Sequence, residues 1–134
     1  MVHSNRDNTP CILVVGDMEA TGSFVKRVLK AEGYDVLMVR NSIEALTLAI
    51  DFPGGIDLLV VDNKVKKFHN GSELATCFSI LRPETQVVLV ADGDFPEGPQ
   101  SIPGMDPSWE LLPRAFTRDQ LLDVVENAVI QLVV

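Results

Sequence analysis

Two hydrophobic runs in this chain each stop on a carboxylate: Cys11-Ile12-Leu13-Val14-Val15-Gly16 leads to Asp17, and Ile56-Asp57-Leu58-Leu59-Val60-Val61 leads to Asp62. Short, continuous apolar runs of this kind read as strands covered on both faces, the condition of a parallel sheet. Two parallel strands that finish on acids set those acids beside one another at the carboxyl edge of the sheet, where open α/β folds build their sites. Asp17 and Asp62 are therefore the leading site residues.

The remainder of the chain alternates helix and strand signals, which predicts an α/β fold with a doubly wound, five-stranded parallel sheet. A helix is expected from about Ala20 to Glu32, with Phe24, Val25, Val28 and Leu29 on one stripe and Gly33 as its stop, followed by a strand from Tyr34 to Val39. Asn41 and Ser42 supply N-cap chemistry for a helix carrying Ile43, Leu46, Ala49 and Ile50, and Phe52-Pro53-Gly54-Gly55 ends it. After the strand that reaches Asp62, Ser72 is the expected cap of a helix with Leu74, Ala75, Phe78 and Leu81, which Pro83 closes. Gln86 to Val90 reads as the fourth strand.

Between Asp92 and Ser108 the rhythm breaks. Pro96, Pro99, Pro103 and Pro107 stand there with Gly93, Gly98 and Gly104, and each proline inside a helix costs about 3 kcal/mol. The fourth helix of the alternating pattern is thus expected to be replaced or shortened by a Pro/Gly-rich loop. Trp109 to Leu112 is the expected fifth strand. Thr117 with Gln120 forms a capping box for a last helix whose face is Leu121, Leu122, Val125, Ala128 and Val129.

Bulk properties bound the function. At 134 residues the chain suffices for one domain, 11–134, behind a polar and flexible segment 1–10. Whether it stands alone or was cut from a longer protein stays open. A net charge of −8 excludes nonspecific nucleic-acid binding, which needs a basic face. No apolar stretch approaches the roughly 20 residues of a membrane span. The polar start lacks a secretory signal, and Cys11 and Cys77 show no metal or redox spacing, so a reducing cytoplasm is the expected location.

In element order and motif placement the chain resembles the receiver domains of two-component response regulators, the CheY-like subset of flavodoxin-like folds. The best local matches are Ile12 to Asp17, Asp57 to Asp62 with Gly71 following, and Leu112-Pro113-Arg114-Ala115-Phe116. The resemblance implies that Asp62 is the phosphoacceptor and that Mg²⁺ is held by Asp17, Asp62 and the backbone carbonyl of Lys64. It further implies that the cation of the fifth strand, here Arg114, contacts the phosphoryl group. A carboxylate attacks an anionic phosphoryl group only when positive charge offsets the repulsion, and Mg²⁺ takes oxygen ligands. The implied partners are a histidine kinase or phosphotransfer protein and a downstream protein. The implied role is signalling rather than enzymatic, with at most Mg²⁺-assisted self-phosphorylation on Asp62.

Several positions depart from that pattern. The first acid of the metal pair is Gly16, so Mg²⁺ binding is expected to be weakened. The hydroxyl residue after the fourth strand is Ala91, which has no donor. The aromatic switch position is Leu111, and the proline after the strand 5 cation is Ala115. A cis bond there costs about 2.5–4 kcal/mol without proline, so a trans bond that re-aims Arg114 is expected. Arg114 either pairs with Asp62 in place of phosphate or is a surface arginine, and its planar fork is not equivalent to an ammonium. Asp92 and Asp94 could replace the acid missing at Gly16, although a solvated loop is the plainer reading. Lys64, Lys66, Lys67 and His69 could steer an acidic partner, again against a solvated loop.

The function expected first from the resemblance is a phosphorelay receiver that accepts a phosphoryl group on Asp62 from a histidine kinase; the alternative is a pseudo-receiver that binds a partner without phosphorylation. A third, a flavodoxin-like cofactor binder using a loop Thr21-Gly22-Ser23, lacks a strong glycine-rich fingerprint.

Overall fold

Burial on both faces governs the strands. The computed structural model describes residues 9–16, 21–64, 70–93 and 102–130. Its five strands are β1 (Cys11–Val15), β2 (Asp35–Val39), β3 (Leu58–Asp62), β4 (Gln86–Asp92) and β5 (Glu110–Arg114). All are parallel, in the order β2-β1-β3-β4-β5. Parallel neighbours need crossovers, and helices supply three of the four here: α1 (Thr21–Ala31), α2 (Ser42–Asp51) and α3 (Gly71–Leu81), with α4 (Arg118–Ile130) after β5.

Side chains alternate along each strand, so the sheet feeds two cores. Leu13, Val15, Leu59, Val61, Val87 and Leu89 pack on α2 and α3 through Ala45, Leu74, Ala75 and Phe78. Ile12, Val14, Leu58, Val60, Val88 and Val90 pack on α1 and α4 through Val25, Leu29, Leu121 and Val125.

No helix joins β4 to β5 among the described residues. Instead, turns over 102–109 bring Ile102 and Trp109 into the α2/α3-side core, with Met105 packed against it. The Ser72 hydroxyl donates to the Pro103 carbonyl at 3.1 Å, and Gly104, at φ +80°, lies close enough that a Cβ would meet the Ser72 hydroxyl at 3.3 Å. Ile102 and Trp109 of this connection thus cover that face of the sheet.

Several local expectations are corrected. The cap of α3 is Asn70, whose side chain accepts from the Glu73 amide at 2.9 Å, while Ser72 lies inside the helix and shares its one hydroxyl proton between Asn70 Oδ1 and the Pro103 carbonyl. Asn41 alone caps α2, accepting from Glu44. Strand β5 begins after Trp109, and β4 continues through Asp92. On α2 the buried positions are Ser42, Ala45 and Ala49, whereas Ile43 and Ile50 face outward, because close packing of α2 on the sheet favours its small residues. The capping box of α4 forms as expected: Thr117 N–H donates to Gln120 Oε1 at 2.8 Å, and Gln120 N–H to Thr117 Oγ1 at 3.1 Å. No helix among the described residues is long and apolar enough to cross a membrane.

The ends of α2 and α3 are tied by one side chain. Arg82, just past α3, donates from Nε to Ala49 O, from Nη1 to Gly54 O and from Nη2 to Phe52 O, at 2.8, 2.8 and 2.5 Å. These carbonyls belong to the last turn of α2 and the chain beyond it, which lack intrahelical donors. Charge-assisted hydrogen bonds contribute about 1.5–3 kcal/mol each. Replacing Arg82→Met is expected to cost about 2 kcal/mol, a fall in Tm of roughly 8 °C in a thermal melt.

Candidate functional site

The alternation that builds the two cores also gathers the polar edge. Counting by twos from the apolar residues on the α1/α4 side, Val14 leads to Gly16, Val60 to Asp62, Val90 to Asp92 and Leu112 to Arg114. All four arrive at the carboxyl ends of neighbouring strands on one face. Asp92 stands directly opposite Arg114 in the β4–β5 register. Thr21, the first residue of α1, faces the same edge.

Arg114 is the hub. Its Nη2 donates to Asp62 Oδ1 at 2.9 Å and its Nη1 to Asp62 Oδ2 at 3.1 Å, a fork on both carboxylate oxygens. Nε donates to Asp92 Oδ1 at 2.7 Å, and Nη1 also reaches Thr21 Oγ1 at 3.0 Å. Lys64 completes the cluster: its amide donates to Asp62 Oδ1 at 2.9 Å while its ammonium pairs with Asp92 Oδ2. Two carboxylates are thereby matched by two cations. The Asp62 side chain is 13% exposed and that of Arg114 23%, so their pair is screened less than the exposed Lys64–Asp92 pair.

Two glycines shape the acid's surroundings in opposite ways. A Cβ on Gly71 would lie 2.6 Å from the Asp62 carbonyl oxygen and 2.7 Å from Asn63 Cα, so α3 starts hard against the backbone that carries Asp62. At Gly16 a Cβ would meet Asp62 Cβ at 3.5 Å, an ordinary contact. A Cβ at Gly16 is therefore accommodated beside Asp62. A cavity of about 10 Å³ under Gly16, Thr21, Gly22, Asp62 and Val90 is on the scale of one water.

Comparison with solved structures decides the fold. A receiver-domain protein (CheY-like) from Methanospirillum hungatei JF-1 matches over 92% of this chain and 96% of its own, at 22% identity and a TM-score of 0.79. The receiver domain has this fold. A receiver domain from Clostridium thermocellum matches over 91% and 95%, at 23% identity and a TM-score of 0.77. That of the hybrid histidine kinase CckA matches over 89% and 98%, at 26% identity and a TM-score of 0.71. No family model matches the sequence, and no curated protein matches it.

Within this receiver fold the expected residues separate into three groups. Asp62, Arg114 and Gly16 meet at the edge, joined by Lys64 through its amide and by Asp92, which the solvated-loop reading undervalued. Its register opposite Arg114, two residues beyond Val90, was the available signal. Thr21 is a contact that the sequence did not advertise, and Thr21-Gly22-Ser23 is the first turn of α1 rather than a loop. Ala91 and Leu111 turn to the other face, into or against the α2/α3-side core. Asp17, Asp94, Lys66, Lys67 and His69 lie outside the described residues. The Arg114–Ala115 bond is cis, which corrects the expectation of a trans bond drawn from local preference alone. Arg114 meets Asp62 in that geometry.

The described residues do not fit the Mg²⁺ that the resemblance implies. Both oxygens of Asp62 accept from Arg114, and one also accepts from the Lys64 amide. No group of three His, Cys, Asp or Glu among the described residues gathers to hold an ion.

On the outer side of β5 and α4 lies a groove of about 340 Å³, walled by Leu111, Leu112, Pro113, Ala115 and Val124 and rimmed by Gln120 and Asp123. Phe116, the next residue, packs on Phe24 of α1 with ring centroids 6.1 Å apart.

Two outcomes follow from this geometry. Gly71→Ala is expected to lose about 2 kcal/mol by overpacking, with amide shifts concentrated at Asp62 and Asn63. The hydrogen bond from Lys64, aided by the Arg114 and Lys64 charges, holds the Asp92 carboxyl below its ordinary range against the opposing effect of desolvation. Because the folded-state pKa is lowered, this contribution is present above the unfolded carboxylate pKa and fades as pH falls through the lowered value. A carboxyl-carbon NMR titration is expected to place the Asp92 midpoint below that of an unperturbed aspartate, and Lys64→Ala to raise it.

Proposed function

We propose that the chain serves two-component signalling as a pseudo-receiver, a protein-interaction module whose Asp62 is held by an internal cation instead of standing open to a phosphodonor. The observation that carries this reading is the two-pronged contact of Arg114 with both Asp62 oxygens. Attack on a phosphoryl group needs a free carboxylate oxygen in line with the leaving group. Here each oxygen is already engaged in a charge-assisted hydrogen bond. Gly16 in place of an acid and Ala91 in place of a hydroxyl support the same reading, since each removes a group that would handle the phosphoryl charge. The groove along β5 and α4 supplies apolar surface with a polar rim, the makeup of a protein-binding patch. A downstream protein in the cytoplasm is the partner this reading implies.

A second reading keeps phosphorelay, with a histidine kinase or phosphotransfer protein passing a phosphoryl group to Asp62. It is favoured by Gly71, whose close approach keeps the backbone around Asp62 in one conformation. Intact-mass analysis separates the two. After incubation with a small phosphodonor and Mg²⁺, the pseudo-receiver reading expects no phosphoryl adduct and no amide shifts in β5 or α4 with beryllofluoride. An adduct on the unaltered chain that Asp62→Ala abolishes would replace it with the phosphorelay.

A further inference from the structure

We propose that the outer face of α2 and α3 binds a second copy of this chain, with the two α2 helices packed antiparallel about a two-fold axis. Among the described residues five large aliphatic side chains stand exposed, and four of them lie on these two helices. They are Ile43 (60% exposed) and Ile50 (68%) on α2, with Ile80 (75%) and Leu81 (46%) at the end of α3. Ile43, Thr47 and Ile50 follow one another at i, i+4 and i+7, a single outward stripe. Arg82 ties the chain just past α3 to the last turn of α2, so Ile50, Ile80 and Leu81 belong to the same end of that face.

The fold does not account for these isoleucines. Smaller residues fill the sheet side of α2, namely Ser42, Ala45 and Ala49, and a β-branched residue turned to solvent loses side-chain freedom without gaining packing. A helix apolar on both sides is one that is covered on both sides. The other two helices are charged on the outside: α1 carries Lys26, Arg27 and Lys30, and α4 carries Arg118 and three acids, whereas the only charged residue of α3 is Glu73.

Charge selects the occupant. Copies of a chain with net charge −8 repel one another, so they meet only where the contact supplies its own attraction. The α2 stripe is bounded by a cation before its first turn, Arg40, and by an acid at its last residue, Asp51, both exposed. In an antiparallel pair Arg40 of each copy lies against Asp51 of the other, Ile43 lies over Ile50, and each positive helix N-terminus sits beside a negative C-terminus. A parallel pair would set like charges together. Arg40 approaches Glu44 of its own helix only to 3.7 Å, an exposed contact weak enough to leave the guanidinium open to a second acid. An interface limited to helices of 10 and 11 residues buries less than about 1,200 Å² in total, which makes the dimer weak and reversible. The Asp62 edge and the groove along β5 and α4 take no part, so this inference stands apart from the proposed function.

Sedimentation of the full chain at low salt, from about 5 to 500 µM, tests it and is expected to show a monomer–dimer equilibrium within that range. Ile50→Lys is expected to leave a monomer at every concentration, with a Tm within about 3 °C of the unaltered protein because the side chain is exposed. Asp51→Arg is expected to weaken the dimer about fivefold, and Arg40→Asp added to Asp51→Arg to restore it to within about twofold. That exchange separates a two-fold pairing from unspecific adhesion. A monomer at every concentration overturns the proposal and leaves the face to a different protein. A dimer that survives Ile50→Lys, that is indifferent to Asp51→Arg, or that the charge exchange fails to restore overturns it as well. Should Ile50→Lys not fold, the exchange at the two exposed ends of α2 decides alone.

Discussion

A parallel sheet covered on both faces admits polar side chains only where its strands run out. Every described interior position of β1, β3 and β4 is apolar because each side chain, up or down, enters a core. Charge is thereby confined to the ends, and the parallel sense makes the carboxyl ends coincide. Asp62, Asp92 and Arg114 are neighbours because three strands terminate together with the same parity. The site is a consequence of how the sheet is buried, and the loops and helix starts around it refine what the strands place.

Once three charged groups share an edge where Asp62 and Arg114 are little exposed, their balance becomes the controlling term. A half-buried carboxylate needs a partner. In the receiver fold, the resemblance assigns that role to a metal ion held by a pair of acids and to a lysine. This chain has a glycine for one acid and an arginine for the lysine. In this chain the Arg114 fork, bridging Asp62 and Asp92, meets the charge of both acids.

The fold was legible in particular residues. The apolar runs to Val15 and Val61, the stripe Val25-Val28-Leu29 and the capping box at Thr117 each predicted an element that is present, because each signal is local or periodic. The prolines between Asp92 and Ser108 agree with the lack of a helix among the described residues of that connection. What they could not foretell is that Ile102 and Trp109 would cover the exposed part of the sheet, since nothing local distinguishes a core tryptophan from a surface one. The outward turn of Ile43 and Ile50 was hidden for the same reason: which stripe of α2 meets the sheet depends on how closely the helix can approach.

At the site the division is sharper. Residue types and strand parity, both written in the chain, place Asp62 and Arg114 at one edge. The partnerships themselves came from three dimensions: Arg114 bridging Asp62 and Asp92, Lys64 pairing with Asp92 while its amide serves Asp62, and Thr21 closing the fork. Hydrogen-bond partners are chosen by distances of a few tenths of an ångström between residues up to 93 positions apart. Periodicity carries direction but not distance, and only the packed sheet supplies the second.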